Sequence, residues 1–573
     1  MRKLEELFFI AILILLSYFS FSHLFISGFF PIHDDTQVAR VFGMGKALSD
    51  GVFPVRWIED LGYGYGYPIF NFYAPLSYYF GGFLNILGFD ALTSTKIMIF
   101  AGIVISGISM FMLTREFWGN WGGLFSDLLF VYAPYHALDI YVRGDIAESW
   151  AYGFIPLVFW GALKAYKEKR WIFVFLGSLA FAGVITSHNL TAFILAPFMV
   201  VLISFLYLAN KKRTNLFYSL FVLFFGLGIS SFYVFPAIFE MKYTDVLSQI
   251  GGGADFRDHF VCLFQLWDSP WGFGGSTSSC IDGMSFKIGR INLLFALLSI
   301  LVFFGYRFLN KKVKFIRGKF LKNEKSIFFS FSILGFLISI FFTLSISKIF
   351  WEIIPFMEFL QYPWRFLILI SFFSSFLAGF SVWFIGNLFR NNKIFYYLLS
   401  AVIILFIIYF QGKLFVPQTI LEYDSSYYTN EEALKWRTSK ISDEFLPQSF
   451  EVPKKINEIG LKKVESGSKG EVLYQLSKTG EIHASLRSSD TSEFKINIPF
   501  FPAWEVYLDN KKVPFNIGKR GVGLDVPKGE HALDVYFVQT PLEKFSNALS
   551  LVFLFALLAG IIFPISKSNE KNK

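Results

Sequence analysis

About twelve stretches of this chain stay apolar for the roughly 20 residues that a helix needs to cross a bilayer. They lie at residues 7–26, 97–113, 122–138, 150–165, 171–186, 190–208, 216–239, 291–308, 327–344, 366–385, 394–410 and 548–565. Inside hydrocarbon every backbone N–H and C=O must be satisfied within the structure, so such runs are helices. Composition agrees: 54% of the 573 residues are hydrophobic and only 17% are charged, where soluble domains carry about 25% charged residues. The fold class is a polytopic α-helical membrane protein of about 12 transmembrane helices. The net charge of +9 is no sign of nucleic-acid binding, because membrane chains use basic residues for orientation. No small-residue cleavage site follows residues 7–26, which therefore read as an uncleaved span and not as a signal peptide.

Residues 68–89 are aromatic and apolar but contain Pro68, Pro75 and the pair Gly81 and Gly82. Charge decides their place. If they do not cross, the basic clusters at residues 2–3, 115, 164–170, 211–213, 307–325, 390–393 and 567–573 share one side. If they cross, the clusters are split. The positive-inside rule makes this segment interfacial or re-entrant and puts both termini in the cytoplasm. The expected organisation is a transmembrane domain at 1–410 with external loops 30–94 and 240–289, an extracytoplasmic, mostly β domain at 411–544, and a last helix with a basic tail at 545–573. Short alternating segments separated by turn residues such as Asp509-Asn510 and Pro527-Lys528-Gly529 make the polar domain a small β-sandwich before the last helix. Cys262 and Cys280 are too few for a metal site; in an external loop they are a disulfide pair or two free thiols with equal weight.

Polar groups at the external boundary are the candidate site. His33-Asp34-Asp35 directly follows the first helix. Adjacent carboxylates repel, which raises one pKa and suits proton transfer, or they share a cation; an Asp here also suits a helix N-cap. Arg143, Asp145 and Glu148 occupy the second outer loop, where Arg143 either grips a phosphate or pairs internally with Asp145 or Glu148. His188 and Asn189 sit at the outer tip between two spans. Gln361 and Arg365 enter the tenth span from outside, where orientation does not call for Arg. Tyr65 and Tyr67, in the run Gly62-Tyr63-Gly64-Tyr65-Gly66-Tyr67-Pro68, offer stacking faces for a sugar or form an interfacial aromatic belt. Trp504 reads as a core residue of the β domain. There is no Walker loop, Rossmann fingerprint or zinc spacing.

These stretches, with Ala133-Pro134-Tyr135-His136 and Gln361-Tyr362-Pro363-Trp364-Arg365, resemble the GT-C superfamily of membrane glycosyltransferases. The closer resemblance is to the membrane family labelled 6-pyruvoyl-tetrahydropterin synthase-related. Pro502-Ala503-Trp504-Glu505-Val506-Tyr507-Leu508-Asp509 and Pro527-Lys528-Gly529-Glu530-His531 resemble the closing domain of the lipoteichoic-acid-glycosylating membrane family. The resemblance implies inverting transfer of a sugar from a polyprenyl-phosphate donor to an envelope glycan, lipid or protein acceptor at the outer membrane face. Asp34 or Asp35, with His33, would be catalytic. Arg143, Arg365, His188, Asn189, Tyr65, Tyr67 and Gln361 would bind the donor phosphate and substrate. A divalent metal, Mg or Mn, would use Asp34, Asp35, Asp145 and Glu148, with His188 as a further ligand. The competing readings are a transporter or flippase of lipid-linked sugar, which would place its ionisable groups at mid-membrane, and a non-catalytic envelope-assembly protein.

Overall fold

The computed structural model describes residues 2–211, 213–309, 324–389 and 391–563. The basic stretches at 310–323 and 567–573 that weigh in the orientation argument lie outside them. The described chain is mostly helical, with β structure confined to its last quarter. Each of the twelve apolar stretches is helical over most of its length. Among the described residues, seven helices are long and apolar enough to cross a membrane, or up to nine counting two pairs bent by 53° and 65°. One of the bent pairs is Leu4–Leu16 with Tyr18–Leu24; the other is Arg213–Ile229 with Ser231–Phe239.

The long helical run Ala91–Val131 is two helices that fold back on each other at Gly119. Thr114 Oγ1 reaches the Gly123 carbonyl at 3.4 Å, and Gly107 faces Asp127 and Val131. The two apolar stretches at 97–113 and 122–138 are therefore antiparallel neighbours. In the ambiguous segment the helix Leu76–Ile86 has 11 residues. At 1.5 Å per residue it rises about 16 Å, half the hydrocarbon thickness, too short to cross. It packs against the helix Gln37–Ser49 and the run Ala91–Val131, burying Ser77, Tyr78, Gly81 and Gly82.

Nine strands form two antiparallel sheets: β1 (Val464–Ser466), β4 (Ser492–Ile496), β8 (Gly521–Val526) and β7 (Asn516–Gly518) in one, and β2 (Gly470–Lys478), β3 (Glu481–Ser488), β9 (Gly529–Phe537), β5 (Trp504–Leu508) and β6 (Lys511–Lys512) in the other. Alternation sets the faces. Phe494, Ile496, Val522 and Leu524 of the first sheet and Ile482, Leu486, Leu533 and Val535 of the second are buried in the same core. Cys262 and Cys280 form a disulfide with Cα atoms 5.6 Å apart.

The residues of the Tyr/Gly run dock onto this C-terminal part. The backbone N–H of Tyr63 donates to Ser439 Oγ at 2.9 Å. The Tyr65 ring meets Phe450 edge-on at 5.0 Å, and its hydroxyl accepts from the Gly460 N–H at 3.1 Å. Tyr67 is buried beside Phe445 at 6.5 Å. Trp57 of the same loop packs edge-to-face on Trp504 at 5.1 Å. Tyr65 and Trp504 are thus interior contacts between parts of the chain, and Tyr65 does not present a sugar platform. Gly66 has φ +81°, and a Cβ there would sit 2.4 Å from Trp57 Nε1. Gly66→Ala is expected to cost about 1–3 kcal/mol through strain and displacement of Trp57. Thermal unfolding, with protease sensitivity of the 411–544 region as a second readout, checks this.

Candidate active site

The site is built around one sharp turn. Pro134 opens the short helix Pro134–Leu138, which continues into a wide turn, Asp139–Arg143, that places Asp139 four residues before Arg143. Gly144 follows at φ +69°, with Ile32 packed where a Cβ would be. Asp145 then caps the helix Ile146–Glu168, its Oδ1 accepting the Glu148 N–H at 3.0 Å. The turn gathers three carboxylates on one guanidinium. Arg143 pairs with Asp139, with Asp145 at 2.9 Å and with Glu148 at 3.0 Å. Tyr135 donates its hydroxyl to Glu148, and the Trp364 ring lies 4.7 Å from the guanidinium carbon. All five residues carrying charge or hydroxyl here are buried.

The loop at 30–94 is stitched to this turn by its backbone. His33 N–H donates to the Val142 carbonyl at 3.0 Å and Asp34 N–H to the Arg143 carbonyl at 2.9 Å. Gln37 donates to the Gly144 carbonyl at 2.7 Å and accepts from the Tyr78 hydroxyl at 2.6 Å. The two adjacent acids part company here. Asp34 faces the cluster: burial raises its pKa, the charge of Asp145 raises it further, and Arg40, Arg143 and His33 oppose the shift without cancelling it. Asp35 faces away, with burial raising its pKa and Arg437 opposing. Neither caps the helix Gln37–Ser49, whose cap residue is Thr36. His33 bonds through Nε2 to the Phe273 carbonyl at 3.0 Å, tying the loop at 30–94 to the loop at 240–289.

His188 and Arg365 complete the cluster. His188 Nδ1 is 2.8 Å from Thr191 Oγ1; its Nε2 lies 3.9 Å from Asp145 Oδ2 and 3.4 Å from an Arg365 terminal nitrogen. Burial lowers the His188 pKa against the pull of Asp145 and Glu148. Burial alone would raise Asp145, but His188, Arg143, Arg365 and the Glu148 N–H outweigh it and hold the carboxyl at about 2. Arg365 is 7% exposed. Its two hydrogen bonds, to His188 and to Gln361 Oε1, are both 3.4 Å, beyond the usual range. Its Nε has no partner, and no carboxylate of the described residues lies within 4.0 Å of it.

Asp145, Glu148 and His188 each bring one ligand atom to within 4.8 Å of the others. Two carboxylates and an imidazole suit Mn better than Mg, and a cation there would share both carboxylates with Arg143. Asp34 is beside Asp145, whereas Asp35 is not part of the set.

Of the residues expected from sequence, Asp34, Arg143, Asp145, Glu148, His188, Gln361 and Arg365 come together. Asp35, His33, Tyr65 and Asn189 do not; Asn189 is exposed and bonds the Leu190 N–H. The expected phosphate contact of Arg143 is corrected, because its donors are committed to Asp139, Asp145 and Glu148. Sequence reading missed Asp139, Arg40, Tyr73 and Tyr78. Asp139 carried a signal in its four-residue spacing to Arg143. Arg40 had the same one as Arg365, a basic residue on the side where orientation does not require it.

Residues 70–249 match the 6-pyruvoyl-tetrahydropterin synthase related domain, a membrane-protein family. An uncharacterized protein of Lactococcus lactis subsp. cremoris (strain MG1363) is 26% identical over 217 residues, 36% of this chain and 35% of that protein. The match therefore spans about a third of the relative's length. Among solved structures, the apo oligosaccharyltransferase of Archaeoglobus fulgidus aligns with 71% of this chain and 55% of its own at 14% identity and a TM-score of 0.38. The mycobacterial arabinofuranosyltransferase AftD aligns with 75% of this chain and 28% of its own at 14% identity and a TM-score of 0.43.

Removing the Arg143 charge leaves three buried carboxylates without their common partner. Arg143→Gln is expected to destabilise the protein by about 3–5 kcal/mol. Arg365→Gln, which breaks no ion pair, should cost far less. Thermal unfolding of the two purified variants side by side checks the contrast.

Proposed function

We propose that this chain is a membrane glycosyltransferase that moves a sugar from a polyprenyl-phosphate donor to an envelope acceptor at the outer membrane face. The observation that carries the reading is Arg365: a buried guanidinium with no carboxylate within ion-pair distance, beside His188 and Asp145. A buried guanidinium whose charge is answered by Asp145 at longer range, with no carboxylate of the described residues in direct contact, is costly to a fold and suits a site that receives an anion. Asp34, half-buried and without a side-chain hydrogen bond among the described residues, is the base that the reading needs.

The acceptor hydroxyl loses its proton to the Asp34 carboxylate as its oxygen attacks the anomeric carbon. The bond from that carbon to the donor phosphate breaks on the opposite face, and the configuration inverts. The negative charge that develops on the leaving phosphate is met by the Arg365 fork, whose planar donors match phosphate oxygens. Arg143 holds Asp145 and Glu148 in place and does not touch the donor. A cation held by Asp145, Glu148 and His188 would add charge against the same phosphate. The Cys262–Cys280 disulfide favours an oxidising compartment for the loop at 240–289, on the side that the positive-inside argument gives it. The two sheets read as a small sandwich on that same side.

Asp34→Asn is expected to lower the transfer rate by about 100-fold or more, as for a lost general base, while Asp35→Asn stays within a few-fold of wild type. Arg365→Lys keeps the charge but loses the fork, so the apparent donor KM should rise with membrane insertion unchanged. Transfer from a synthetic polyprenyl-phosphate sugar, assayed in detergent and in bilayers, measures all three; equal rates for Asp34→Asn and wild type would remove the base.

Orientation has its own test. A cysteine at Asn430 should react with a membrane-impermeant maleimide in intact cells, and one at Lys169 should react only after lysis.

A further inference from the structure

Arg40 is the second buried guanidinium of this region that has no carboxylate of the described residues within ion-pair distance. It lies in the helix Gln37–Ser49 and is 3% exposed. One terminal nitrogen donates to Ser442 Oγ at 2.9 Å; the other reaches the Tyr78 hydroxyl at only 3.4 Å. Its Nε has no partner. The group lies over the Tyr73 ring at 4.1 Å, a stacking that satisfies its face and adds no acceptor in the plane of its donors. No carboxylate of the described residues is within 4.0 Å. The acids whose charge reaches it are Glu444, which accepts a 3.3 Å hydrogen bond from Ser442, and Asp34.

Two other buried arginines show what a structural role looks like in this protein. Arg143 holds three carboxylates. Arg56 donates to Asn71, Asn547 and the Phe232 carbonyl and lies 3.7 Å from Glu543. Arg40 and Arg365 lack such partners, and they flank the same pair of acids: Arg40 acts on Asp34 and Arg365 on Asp145, while Tyr73 senses Asp34, Asp145 and Arg40 together.

We propose that Arg40, with Ser442 and Tyr78 beside it, is the seat of a second substrate oxyanion, a phosphate or a carboxylate, separate from the donor phosphate at Arg365. The inference rests on the reading of Arg365 as the donor seat. The second oxyanion belongs either to the acceptor, which is then an anionic glycan or polyol phosphate, or to a donor that carries a diphosphate. In both cases the substrate pair brings two anions to a site with two buried guanidiniums that hold no carboxylate directly among the described residues.

The test uses the full chain in phosphatidylcholine nanodiscs, with farnesyl phosphate, farnesyl diphosphate and radiolabelled inorganic phosphate as probes. With farnesyl phosphate saturating, wild type should still bind inorganic phosphate at millimolar concentration or tighter. Arg40→Gln should weaken that binding by about tenfold or more. Arg365→Gln should leave it and weaken farnesyl phosphate instead. Loss of the phosphate site when farnesyl diphosphate replaces farnesyl phosphate assigns the second oxyanion to the donor; its persistence assigns it to the acceptor. Arg40→Lys and Ser442→Ala serve as milder variants with helicity and thermal unfolding as folding controls, and both should weaken inorganic phosphate without changing farnesyl phosphate. The proposal is overturned if saturated wild type takes up no phosphate, or if folded Arg40 variants bind it as wild type does. If farnesyl phosphate fails to bind at all, the donor reading of Arg365 falls, and phosphate binding to the unliganded protein still decides the Arg40 seat by its response to Arg40→Gln.

Discussion

One buried arginine surrounded by three carboxylates sets the geometry on which the rest of the site depends. Taking such ions out of water costs several kcal/mol each, so Asp139, Asp145 and Glu148 are tolerated only because Arg143 reaches all three. The turn that makes this reach possible also fixes the neighbouring segments. Backbone carbonyls of residues 142–144 accept hydrogen bonds from His33, Asp34 and Gln37, so the loop at 30–94 takes its register from the ion cluster. Asp34 faces the cluster, and Asp35 faces away, as a consequence of that register.

The cluster also sorts the basic residues by role. A guanidinium whose donors are all committed cannot exchange them for a ligand without exposing buried charge. Arg143, with three carboxylates, is of that kind; Arg56 comes close, with three hydrogen bonds from its terminal nitrogens and Glu543 at 3.7 Å from an Nε that makes no hydrogen bond. Arg365 and Arg40 have long or few hydrogen bonds and an unpartnered Nε each. In one compact region the fold thus supplies both a rigid electrostatic frame and two buried guanidiniums without a direct carboxylate partner among the described residues.

Much of this was legible in the sequence, for a definite reason. Apolar stretches of about 20 residues can only be helices in a bilayer, and the helices of the structure fall on them. The charge argument against a crossing at 68–89 agrees with the 11-residue helix found there. The grouping of Arg143, Asp145, Glu148, His188 and Arg365 was visible as polar residues at one boundary. The choice between Asp34 and Asp35 was not, because it is made by backbone pairing with residues over a hundred positions away. The Tyr/Gly run was misleading for a similar reason. Its tyrosines have the chemistry of a sugar platform, but Tyr63 and Tyr65 meet the segment from Trp436 to Gly460, and no local pattern announces a contact nearly 400 residues away. Arg40 was passed over because its partners, Ser442 and Tyr78, come from different parts of the chain.

The hydrogen bond between Arg40 and Ser442 spans 402 residues, and that separation has a consequence for biogenesis. Ribosomes add about 5–20 residues per second, so roughly 20–80 s pass between synthesis of the helix that carries Arg40 and synthesis of the segment that completes its surroundings. During that interval Arg40 and the Tyr/Gly loop have no C-terminal partner to dock on, although the ion cluster of residues 139–148 can already form. The site is therefore assembled in two stages, a frame laid down early and a closing wall that arrives only after most of the helices have been inserted. A nascent chain stalled before residue 442 would have the acids, Arg143 and Arg365 but not Ser442, the hydrogen-bond partner of Arg40.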